Sequence, residues 1–165
     1  MIINKKGTTE ALVMYSNFDI KKVRFDFKVT FVNKPRIALW TSTWNSNYKE
    51  IPWIEWCLRE RFDMNETLYK IISSKTLKIY QIDSADDYED SSLPKDTEDF
   101  IDYNKLKELG FDGLHITRNG SCLGHDFTYK KAMKLNGFDC ESTVWFNTDW
   151  IDNMEVIGRI RDLIR

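Results

Sequence analysis

The chain predicts an α+β fold: short strands interspersed with a few helices, in a length of 165 residues that fits a single domain spanning 1–165. Three observations carry that expectation. Residues 23–31 (VRFDFKVTF) alternate apolar and polar side chains with period two, the pattern of a half-buried strand. Residues 100–109 (FIDYNKLKEL) are amphipathic at helical spacing and end at Gly110, where a C-terminal cap belongs. Several other apolar runs are too short for helices and are separated by polar breaks. The architecture expected is mixed or antiparallel strands around a central cleft, with those near 36–42, 112–117 and 141–147 close together.

The elements follow in order. Residues 10–16 (EALVMYS) read as a first short strand. Lys34-Pro35 ends the strand begun at Val23, and the apolar run 36–41 (RIALWT) forms another. Pro52 suits the first turn of a helix, in which Trp53, Trp56 and Cys57 make an apolar stripe expected to be core. Residues 67–72 and 76–82 read as two strands separated by Ser73-Ser74-Lys75. The acidic stretch 83–98 is a solvated loop with one helical turn. Residues 111–116 form a turn and strand, 118–124 a glycine-containing loop and 128–135 a short helix. Gly137 opens the next strand, 154–157 is the last, and 158–165 is helical.

Composition narrows the function. With 42% hydrophobic and 30% charged residues the chain is a globular protein, and 14% aromatics with six Trp point to a rigid core or a stacking pocket. The net charge of −2 argues against a general nucleic-acid-binding surface or an anionic-membrane partner. Three cysteines without a framework spacing imply reduced thiols, and no apolar run approaches the roughly 20 residues of a membrane helix. A cytoplasmic protein is expected.

Two short motifs carry chemistry. Asp139 and Glu141 are two residues apart at the mouth of an apolar run, so a strand beginning at Asp139 sets both carboxylates on one face, where they bracket a cation or hydroxyl. The bland alternative is a solvated strand end. Thr41-Ser42-Thr43 places three hydroxyls between Trp40 and Trp44, a pattern that suits a polar ligand with a stacked ring, or simply a capped strand end. His115, Cys122, His125 and Cys140 include one Cys-x2-His spacing but lack the paired pattern of a zinc module, so no metal is assigned.

Together these motifs resemble the mono-ADP-ribosyltransferase superfamily, whose members carry an Arg or His on an early strand, a Ser-Thr-Ser-like motif on a second and a Glu- or Gln-x-Glu motif on a third. Thr41-Ser42-Thr43 is similar to the second and Asp139-x-Glu141 to the third. ESTVWFNTDWIDNMEVI resembles the usual continuation, and GFDGLHIT a strand entry found in such domains, some phage-encoded. The first-strand slot departs, holding Met14-Tyr15-Ser16. The resemblance implies NAD as substrate and transfer of ADP-ribose to an unidentified protein or nucleic-acid acceptor. Glu141, Asp139 and Ser42 would be catalytic, with Tyr15, Arg36, Trp40, Thr41, Thr43 and Trp44 binding the dinucleotide. Two other readings stay open: a non-catalytic binding or inhibitor protein of phage or mobile-element origin, and a metal-dependent hydrolase or nuclease.

Overall fold

The structure, a computed structural model, describes residues 1–14, 19–29, 33–123, 132–135 and 137–165. Its centre is a closed five-stranded barrel. Strand β1 (Ile2–Met14) pairs with β4 (Leu39–Thr43), β4 with β7 (Ser142–Trp145), β7 with β6 (Gly113–Ile116), and β6 with β5 (Thr67–Ile82). Closure comes from β5 returning to β1 in an antiparallel ladder that runs from Ile2↔Tyr80 to Met14↔Thr67. Strand β8 (Asn153–Arg159) extends the sheet on the Thr67–Ile72 half of β5, while β6 lies parallel to its Ile79–Ile82 half. A small hairpin of β2 (Asp26–Val29) and β3 (Pro35–Ile37) stands apart.

This corrects the expected α+β cleft: the chain is 39% strand and 26% helix, wound into a barrel. The difference lies in the two longest strands. Ser73-Ser74-Lys75 does not break β5, because β1 accompanies it on both sides of those residues. The polar stretch before residue 10 is strand as well, since that half of β1 pairs along β5 alone. Closure thus rests on a pairing of distant segments that local patterning does not encode. Smaller corrections follow. The apolar run at 36–41 is split between β3 and β4, and residues 118–123 are a helix rather than a loop. β8 continues to Arg159 before a one-turn helix. The expected helix at 128–135 falls partly outside the described residues, and Ala132–Leu135 is a 3-10 turn.

Strands of a barrel alternate inward and outward residues, and three clusters show this. Leu12, Leu39, Tyr69, Ile71, Leu77, Ile79 and Trp145 come from four strands and meet inside, closed off by Trp150 stacked on Trp145. Outward residues Tyr80, Ile82, Leu114, Ile116 and Val144 pack under helices α2 (Ala85–Glu89) and α3 (Tyr103–Glu108). Ala11 and Leu68 pack on the opposite side under α1 (Pro52–Glu60). Gly113 faces Trp145 across the ladder, and a Cβ there would stand 2.8 Å from the Val144 carbonyl and 3.0 Å from the indole. The large residue fits because its neighbour has no side chain.

Helix α1 buries Ile54 and Cys57, one turn apart, in continuation of buried Ile51. The stripe expected to bury Trp53 and Trp56 is therefore rotated. Trp53 is 36% exposed, and its ring begins a ladder through Trp56 to Phe62, 55% exposed, with centroids 5.0 Å apart at each step.

Candidate functional site

One end of the barrel interior is polar. Cross-strand pairing sets Glu10 beside Thr43, Thr41 beside Thr143, Thr143 beside His115 and His115 beside Gln81, all on the inward face. Glu10 is 1% exposed. Its carboxylate accepts from the Thr8 hydroxyl at 2.7 Å and the Thr41 hydroxyl at 2.9 Å, with Lys5 Nζ at 3.5 Å. Thr41 Oγ1 in turn accepts from Trp145 Nε1 at 2.7 Å. Lys5 and Glu10 share a face only because β1 changes parity at Gly7, whose φ of +66° lies in the left-handed region. Burial pushes the Glu10 carboxyl up, opposed by Lys5 and the two hydroxyls.

Glu141 stands at the mouth of this polar end. Its Oε1 accepts from the Thr43 hydroxyl, and its backbone carbonyl accepts from Ser42 Oγ at 3.1 Å. His115 Nε2 lies 4.0 Å from the same Oε1, while His115 Nδ1 shares a hydrogen bond of 2.9 Å with Thr143 Oγ1. Both side chains are largely covered, His115 16% and Glu141 18% exposed. Burial lowers the His115 pKa below its ordinary value, with the Glu141 charge opposing and Lys5 reinforcing the shift. Among the described residues no Lys or Arg forms an ion pair with Glu141.

Two cavities adjoin at residues 139–140. One, of about 680 Å³, is walled by Leu12, Val13, Trp40, Ser42 and Phe138, with Lys22, Arg24 and Lys34 on its lining. The other, of about 570 Å³, is bounded by Glu141, Trp56 and the Arg118–Glu55 pair that ties α4 (Arg118–Leu123) to α1. Asp139 and Cys140 line both. Both volumes fall in the roughly 300–1,000 Å³ range of ligand cavities.

Strand placement therefore gathers Thr41, Ser42, Thr43 and Glu141, and puts Trp40 in the wall of the larger cavity against Phe138, with centroids 5.6 Å apart. Asp139 does not share a strand face with Glu141. β7 begins only at Ser142, and Asp139 instead pairs with Lys34 at 3.4 Å. Ser42 faces outward beside Ala11, so it reaches the Glu141 backbone while Thr43 takes the carboxylate. Trp44 packs edge-on to Tyr48 and under Lys70 Nζ, outside both cavity linings. Arg36, 70% exposed, pairs with Asp26 on the separate hairpin. Tyr15 and His125 lie outside the described residues.

Sequence reasoning missed Glu10 and undervalued His115. The signal for Glu10 was its period-two relation to Leu12, which makes it inward if Leu12 is. For His115 it was the same relation to Gly113. Among the described residues no cluster of three or more His, Cys, Asp and Glu is arranged to hold a metal ion, and no helix is long and apolar enough to cross a membrane. No family model, curated protein or solved structure matches the chain.

Proposed function

We propose that this protein transfers ADP-ribose from NAD to a macromolecular acceptor, protein or nucleic acid, with Glu141 as the catalytic carboxylate. The observation that carries the reading is the setting of Glu141: a largely covered carboxylate, held by Thr43, lining the smaller of two ligand-sized cavities and following directly on Asp139 and Cys140, which line both. Strand β4, which carries Thr41, Ser42 and Thr43, lies between β1, which ends at Met14, and β7, which begins directly after Glu141. Breaking the bond from ribose to nicotinamide sends its electron pair to the leaving ring and develops an oxocarbenium ion, as in glycoside hydrolysis. A fixed negative charge beside that centre stabilises the transition state more than the ground state. The bond then forms from the acceptor nucleophile to the ribose carbon, and Asp139, which lines both cavities, takes the acceptor's proton.

In this reading NAD occupies the larger cavity, with nicotinamide against Trp40, and the acceptor enters by the smaller one. Lys22, Arg24 and Lys34 supply positive charge for the pyrophosphate where the first strand has no Arg or His. The cytoplasm is the compartment we assign, on three free cysteines. The test is nicotinamide release from NAD by wild type and Glu141→Gln, followed by mass spectrometry of proteins and nucleic acid from a cell extract. Wild type that never consumes NAD would refute transfer. A second reading, a non-catalytic binding protein, draws on the exposed ladder Trp53–Trp56–Phe62. That reading gains if wild type captures a partner while leaving NAD intact and Trp53→Ala abolishes the capture.

A further inference from the structure

The polar end of the barrel holds an imidazole whose position the transfer reading leaves unused. His115 is fixed on the β6 ladder by Leu114↔Val144 and Ile116↔Ser142 on either side, and its ring is tethered to Thr143 through Nδ1. The free nitrogen, Nε2, points at Glu141 Oε1 across 4.0 Å, beyond a hydrogen bond yet within ion-pair range. The same Oε1 accepts from Thr43. One carboxylate oxygen thus has a permanent donor in Thr43 and a conditional one in His115, present only when Nε2 bears a proton while Nδ1 serves Thr143.

We infer that His115 is a proton-operated latch on Glu141: neutral, it leaves the carboxylate's charge available at the cavity; protonated, it pairs with the carboxylate and withdraws that charge. The charged groups acting on His115 come from three other elements. Glu141 precedes β7, Lys5 lies on β1 and Asp83 follows β5. Glu141 and Asp83 favour the imidazolium, whereas Lys5 and burial, the largest influence, disfavour it. Lys5 is itself held by Glu10 at 3.5 Å, so its charge is stationed rather than free to swing away. Arg118 of α4 also interacts electrostatically with Glu141 while committed to Glu55. The balance lowers the His115 pKa from its ordinary value and so favours the neutral imidazole. The switch makes or breaks only the Nε2–H bond, its proton exchanged with solvent.

The latch concerns the regulation of Glu141, and only its activity arm rests on ADP-ribosyl transfer. The decisive measurement is therefore independent of turnover. The imidazole carbon shifts of His115 are followed by NMR against pH in wild type and in Glu141→Gln, with His115→Gln supplying the assignment against His125. Loss of the Glu141 charge removes the strongest influence favouring the imidazolium, so the midpoint moves to lower pH in Glu141→Gln. An unchanged midpoint overturns the latch. Should Glu141→Gln fail to fold, the side-chain carboxyl carbon of Glu141 in wild type decides instead. A second inflection at the His115 midpoint supports the latch, and its absence refutes it. In the activity arm, nicotinamide release by wild type falls about tenfold per pH unit below the His115 midpoint, and in His115→Gln this limb moves to lower pH. Coupled shifts without NAD consumption would keep the latch and sink the transfer reading. NAD consumption with identical acid limbs would do the reverse.

Discussion

Thr41→Val is the sharpest test of the barrel's polar end. The substitution keeps shape and β-branching but deletes the one hydroxyl that joins Trp145 to Glu10. Two buried groups lose a partner: the indole N–H, on a side chain that is fully covered, and a carboxylate oxygen of Glu10. Leaving a buried polar group unsatisfied costs about 1–3 kcal/mol, more when it is charged, so a loss of about 2–5 kcal/mol is expected. Chemical denaturation at fixed pH measures it, as a lower midpoint with unchanged slope. Trp145→Phe alone removes a donor without stranding another buried N–H. The double variant should therefore cost less than the sum of the two, with a coupling of about 1–2 kcal/mol. The pH dependence has a definite sign. The folded Glu10 carboxyl is raised above its ordinary value of 4.5, so its contribution to stability is full below that pH and is lost as pH rises through the folded value. Thr41 favours the charged form, so the cost of Thr41→Val should grow as pH rises through the folded Glu10 value. A cost below about 0.5 kcal/mol, the range of surface substitutions, would refute the network as a structural element.

Glu141→Gln should lower NAD turnover by about 10²-fold or more with an unchanged melting temperature, read by nicotinamide release and thermal unfolding. Asp139→Asn should impair transfer to the acceptor more than hydrolysis of NAD by water. Ile54→Ala should cost about 2–5 kcal/mol because Ile54 is fully buried, whereas Phe62→Ala should stay within about 0.5 kcal/mol in denaturant unfolding; equal losses would refute the assignment of the buried face of α1. Gly113→Ala should destabilise by about 1–3 kcal/mol through overpacking against Trp145.

What the sequence made legible was local. The gathering of Ser42, Thr43 and Glu141 follows from adjacent strands whose apolar runs could be read directly, and the amphipathic 100–109 stretch and its Gly110 stop reappear in α3. Barrel closure was not legible, because it depends on residues 2–14 meeting residues 67–80 throughout, and β1 begins in a polar stretch with its parity reversed at Gly7. Period-two reading fails across such a residue: Lys5 and Glu10, five positions apart, should oppose one another in a regular strand. Helix α1 failed for another reason. Of the stripe Trp53, Trp56 and Cys57 only Cys57 is buried: with Ile51 and Ile54, at the same spacing, it fills the inner face with smaller side chains.

The barrel also explains why the candidate site tolerates so many polar groups away from water. Each inward hydroxyl on β4 and β7 has a cross-strand neighbour fixed by register, so Thr41, Thr43 and Thr143 can satisfy Trp145, Glu141 and His115 without loops to position them. A buried polar cluster is costly when partly satisfied and rigid when complete, and here the ladder sets its three threonines against their partners and leaves His115 Nε2 4.0 Å from Glu141. Glu141 gains from this rigidity without belonging to the ladder. It sits one residue before β7, where the strand's geometry reaches it through Ser42 on its carbonyl and Thr43 on its carboxylate. In the transfer reading a carboxylate so anchored would meet a developing cation without reorganising, while it remains outside the closed interior and lines the smaller cavity, by which an acceptor would enter.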